Sequence, residues 1–145
     1  MTLNQLIDSI QELGDKHNII QKTFRGSILD FLSTENLYPG FCFDMTNAAI
    51  NGAELSVSFE FWFLDRVAQD QTNEMDVLSD QLQIAQDIIA QMRYPGWEYE
   101  IADNIPITFF VEETGDVLAG VRCDVTVNLG YISDRCAVPS TETYP

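Results

Sequence analysis

The residues that could do chemistry in this chain are few and widely separated. There is one histidine, His17, and there are three cysteines, Cys42, Cys123 and Cys136. Zinc sites and most acid–base sites draw on more histidine or cysteine than this. The odd cysteine count and wide spacing argue against a disulfide framework and for a reducing compartment at synthesis. The cysteines therefore read as small core residues, with a Cys123–Cys136 bridge left open. Lys16 and Lys22 are the only lysines, so a Schiff base would fall on one of them. Ser133-Asp134-Arg135-Cys136 has no histidine near it in sequence, and no GxSxG, phosphate-loop or GxGxxG pattern occurs. His17, between Lys16 and Asn18, reads as a surface or packing residue.

Carboxylates are the abundant chemical group. Asp65, Asp70, Glu74, Asp76, Asp80 and Asp87 lie along one loop and the segment after it. Such a cluster could hold Ca²⁺ or Mg²⁺, but the DxDxDG spacing and closing Glu of a calcium loop are missing. Asp76, Asp80 and Asp87 share one helical stripe, which reads as a solvated face. Glu112-Glu113 could suggest a pair of catalytic acids. Adjacent strand residues point to opposite faces, so this pair cannot oppose across a cleft. It reads as a polar hairpin tip running into Thr114-Gly115-Asp116. The residues thus point to no catalytic group, no cofactor and no metal.

The elements that must position these groups alternate between helix and strand. Leu3, Leu6, Ile7, Ile10 and Leu13 recur at helical spacing, and Gly14 follows as a stop signal. Residues 18–25 read as extended and 27–33 as a short helical turn. Tyr38-Pro39-Gly40 marks a turn, and strand is expected from Phe41-Cys42-Phe43 to before Asn51-Gly52, a strong hairpin signal. In 54–64, Leu55, Val57, Phe59, Phe61 and Phe63 point one way, and Ser56, Ser58, Glu60 and Trp62 the other. A helix is expected over 74–92, with Leu78, Leu82, Ala85, Ile89 and Met92 as its apolar stripe, widened by Ile84 and Ile88. Asn73 is its expected N-cap, with Asp76 completing a box-like pattern. Strands follow at 97–101, 106–111 and 121–129, and an irregular tail at 133–145. The sum is an α+β domain over 1–132, an antiparallel sheet packed against one long helix plus an N-terminal helix. The tail carries Tyr131, Val138, Pro139 and Tyr144 at or near it, anchors suited to docking on a neighbour.

The charge balance narrows the partners. Seven Lys+Arg stand against 23 Asp+Glu, a formal net charge of −16 over 145 residues. Such a chain has no cationic surplus with which to displace phosphate counterions, and an anionic membrane would repel it. No apolar run is long enough for a membrane span, and Met1-Thr2-Leu3-Asn4-Gln5 lacks the basic start of a signal peptide.

One pattern carries a resemblance. Phe61-Trp62-Phe63-Leu64-Asp65-Arg66 is followed by Asp70-Gln71-Thr72-Asn73-Glu74. Then come Val77-Leu78-Ser79-Asp80 and Ile84-Ala85-Gln86-Asp87-Ile88, and later Ser133-Asp134-Arg135-Cys136-Ala137-Val138-Pro139. This resembles small tail-completion and head–tail connector proteins of tailed bacteriophages, those of crAss-like phages included, over most of residues 50–140. The order helix, hairpin, helix, sheet is similar to the tail-terminator fold. The resemblance implies a structural virion protein, not an enzyme, made in the bacterial host cytoplasm and housed in the neck or tail. It implies a closed homo-oligomeric ring, twelve copies favoured over six, stacked on portal, collar or tail proteins with DNA passing through unbound. The expected assembly contacts are Trp62, on the outward face of 54–64, and Arg66, Tyr131, Arg135, Val138, Pro139 and Tyr144. Two other readings compete: an acidic interaction module, such as an assembly chaperone or DNA-mimic inhibitor, and a small metal enzyme using Asp65, Asp70 and Glu74.

Overall fold

Helix α1, Leu3–Lys16, begins on a capping box: Thr2 Oγ1 accepts from the Gln5 amide at 3.2 Å, and Gln5 Oε1 accepts from the Thr2 amide at 2.8 Å. Gly14 does not stop this helix, which runs on to Lys16. The glycine serves packing instead, because a Cβ there would run into Thr23 and the Phe41 ring. A computed structural model describes residues 1–33, 37–68, 72–114 and 116–130, with 113, 114 and 116 described by backbone alone.

Strand β1, Lys22–Arg25, leads through the short helix α2, Ile28–Leu32, into β2, Gly40–Asn51. This crossover sets β1 parallel to β2, so the sheet is mixed where sequence patterning suggested an antiparallel one. Every other pair is antiparallel. Strand β2 fills the whole stretch up to the hairpin. A bulge between Met45 and Asn47 changes its phase, so Ala48 and Ile50 pair with Val57 and Leu55 of β3, Glu54–Arg66. Gly52 has φ +60°, the left-handed conformation the two-residue hairpin turn needs.

Helix α3 spans Glu74–Met92, as the periodicity predicts, but its buried face is rotated. Val77, Gln81, Ile84, Ala85, Ile88 and Met92 are buried, while Leu78, Leu82 and Ile89 are only partly covered. Asn73 sits at the N-cap without capping. Its Oδ1 accepts from the Ala68 amide at 2.7 Å and closes the preceding loop, so the expected box does not form. Strand β4 is only Tyr99–Ile101; Trp97, expected in strand, donates from Nε1 to the Gln91 carbonyl at 2.8 Å. Strands β5, Ile107–Thr114, and β6, Asp116–Gly130, complete the sheet.

The order is β1-β2-β3-β6-β4, with β5 also on β6. Helices α1 and α3 cover one face. Beneath them Phe41, Phe43, Phe59, Phe61 and Phe63 form a continuous aromatic layer, all buried, with cross-strand Phe41 and Phe63 stacked at 4.5 Å. Close-packed rings of this kind set the register of β2 on β3, since a one-residue slip would turn them to the other face. No helix among the described residues is long and apolar enough to cross a membrane.

Candidate assembly surface

The face of the sheet opposite α1 and α3 is built from the outward residues of β2, β3, β6 and β5. It divides into two halves of different chemistry. At one end α2 lays Phe31 over buried Cys42, Leu64 and Leu118. Around this small core Trp62 meets Phe110 edge-on at 5.0 Å. The Arg122 guanidinium lies 5.8 Å from the Trp62 ring and that of Arg66 lies 5.0 Å from the Tyr38 ring. Cations over aromatic faces are held by the ring quadrupole and are less free to meet an external anion. Arg122 Nε is buried and lies 3.5 Å from Asp124 Oδ1, an ion-pair contact without hydrogen-bond alignment.

At the other end the face is acidic and hydroxylic. Asp44 pairs in register with Glu60, and Glu60 with Asp124, so three carboxylates stand side by side across β2, β3 and β6. Neighbouring strands are about 4.8 Å apart, so these like charges oppose one another directly. Farther along, Ser56 Oγ donates to Asn128 Oδ1 at 2.7 Å and Ser58 meets Thr126 at 3.5 Å. Burial pushes the Cys42 thiol up to about 12, helped by Asp44, Asp30 and Glu60. Burial, with Asp124 beside it, does the same to Cys123. Both are free thiols held in their neutral, unreactive form.

Trp62 and Arg66 both lie on this face. Tyr131, Arg135, Val138, Pro139 and Tyr144 lie outside the described residues, as do Asp70 and Cys136. Of the remaining acidic candidates, Asp80 comes near enough to Asp65 for its charge to act on it. Burial, with a smaller push from Asp80, raises the Asp65 carboxyl above its usual range, against the lowering effect of the Arg66 amide and charge. Asp87 is drawn away to His17, whose Nε2 lies 3.0 Å from Asp87 Oδ2. That bond, with a second from Gln83, holds the Asp87 carboxyl below its usual range despite some desolvation. His17 Nδ1 accepts from the Ile19 amide at 3.2 Å, so the ring ties the end of α1 to α3. Among the described residues no three His, Cys, Asp or Glu side chains are placed to hold a metal ion.

The carboxylate row escaped the sequence. Alternation assigns Glu60 and Asp124 to the outward sets of their own strands. Nothing in the sequence says that those strands are neighbours in that register. No protein-family model matches the chain, and no curated protein matches it.

Proposed function

We propose that the chain is a structural component of a bacteriophage neck or tail, closing with its own copies into a ring around the DNA path. The observation that carries this reading is the row Asp44, Glu60 and Asp124 on a sheet face that no described helix covers there; its nearby cations, Arg66 and Arg122, are engaged by aromatic rings, and Arg122 also by Asp124. Such a row supplies phosphates no cation and repels them at close range. Turned to a channel, it lets DNA slide without sticking. The ring has twelve copies in preference to six and stacks on portal, collar or tail proteins.

Mass measurement of the purified protein, alone and with an isolated phage connector, tests this. A closed multiple of the chain mass, alone or templated by the connector, is expected. A monomer under both conditions overturns the ring. The same carboxylate row then favours an acidic interaction module, an assembly chaperone or a DNA mimic, with a basic surface as its partner.

A further inference from the structure

We infer that copies of this chain join edge to edge, β5 of one copy pairing antiparallel with β1 of the next; this rests on the ring reading for its closure. Among the described residues, strands β1 and β5 are outer strands of one sheet, each bonded on one side only. Tracing the registers puts them at the same level. Ile107 aligns through Cys123, Phe61 and Phe43 with Arg25, and Phe110 through Gly120, Leu64 and Gly40 with Lys22. Their directions are opposed, since β1 runs with β2 and β6, and β5 runs against β6. A copy set beside the first in the same orientation therefore meets it in the antiparallel pairing that sheets favour.

Side chains agree with this arrangement. On β5, Ile107, Phe109 and Val111 are 37%, 54% and 39% exposed on alternate positions of one face, and the stretch Ile107–Val111 has no charge or proline to blunt it. Charge decides the occupant. A chain of net charge −16 repels its own copy wherever carboxylates meet. The β1 edge carries Lys22 and Arg25, the latter already paired with Asp8, whereas β5 carries Glu112. In the level continuation Lys22 stands opposite Phe110, one diagonal step from Glu112 on the same face, within reach of an ion pair. Neither Lys22 nor Glu112 makes an ion pair with another described residue. The contact is short, and the Thr23 carbonyl already accepts from Gln11 Nε2 at 3.1 Å. It joins two different patches of one chain, the head-to-tail geometry that closes into rings.

Charge reversal in the full-length protein tests the pairing by native mass spectrometry over a concentration series, with and without connector. Lys22→Glu and Glu112→Lys should each raise the concentration for half-assembly about tenfold or more, and the double variant should restore it. Phe109→Glu, at an exposed position, should block assembly while leaving thermal unfolding of the monomer within a few degrees. Assembly indifferent to both reversals and to Phe109→Glu overturns the edge pairing and leaves the ring standing. Loss in the single variants without rescue in the double overturns the Lys22–Glu112 alignment. A wild-type chain that stays monomeric under every condition overturns ring and edge together.

Discussion

The two faces of the sheet are made by the same strands and do opposite things. Residue by residue along β3, Phe59, Phe61 and Phe63 are buried under α1 and α3, while Ser58, Glu60 and Trp62 face outward and stay half-buried. The covered face spends its side chains on packing. The outward face keeps a like-charge row and two ring-bound arginines, features that packing alone would not select. The larger core therefore lies on one side of β3; the other side carries the carboxylate row beside the smaller core under α2.

Neighbouring substitutions would sharpen that division. Phe61→Ala removes a fully buried ring and should cost about 4 kcal/mol in denaturant unfolding. Trp62→Ala, one residue on, removes a half-covered ring with one aromatic partner and should cost about 1–2 kcal/mol. Equal losses would break the distinction between the faces. A smaller effect of opposite sign is expected at the centre of the carboxylate row. Glu60→Gln relieves repulsion from Asp44 and Asp124 and should stabilise by about 0.5 kcal/mol at low salt, a gain that fades at high salt. A loss of stability there would mean that the row is held by partners other than repelling neighbours.

Two expectations concern titration. The Asp87 carboxyl is lowered in the folded chain from an ordinary 3.8, chiefly by its hydrogen bond to His17. Its contribution is thus fully present above 3.8 and disappears as pH falls through the lower folded value. Asp87→Asn should reduce stability at neutral pH and converge with the wild type in strong acid, as measured by unfolding across that range. The smallest change is expected from the thiols. With Cys136→Ser in place, Cys42 and Cys123 should not react with a disulfide-exchange reagent at pH 8 until the chain unfolds. Burial has pushed both to about 12.

Much of the covered face was legible in the sequence because burial leaves a period. The alternation in 54–64 and 121–129, the Asn51-Gly52 turn and the 74–92 helix all follow from local pattern. What failed was set by tertiary contact. The Gly14 stop signal was overridden because Thr23 and Phe41 press where a side chain would be. The Asn73 cap was lost to the Ala68 amide. The parallel placement of β1 depends on the crossover through α2, which no pairwise pattern in 15–34 encodes. On the outward face, alternation over 54–64 was enough to place Trp62; Arg66 joins that face because β3 runs two residues past the expected end. Alternation could not supply Tyr38, Phe110 and Arg122, which reach them from other elements. Asp44, Glu60 and Asp124 became one row only through register.

Electron cryomicroscopy of the assembled protein, resolved to side chains, tests the central claim most directly. The account predicts a closed ring of identical copies with Asp44, Glu60 and Asp124 turned to the channel and the lumen acidic. A ring with a basic or neutral lumen, or particles in which the chain sits as a single copy on a partner, would contradict it.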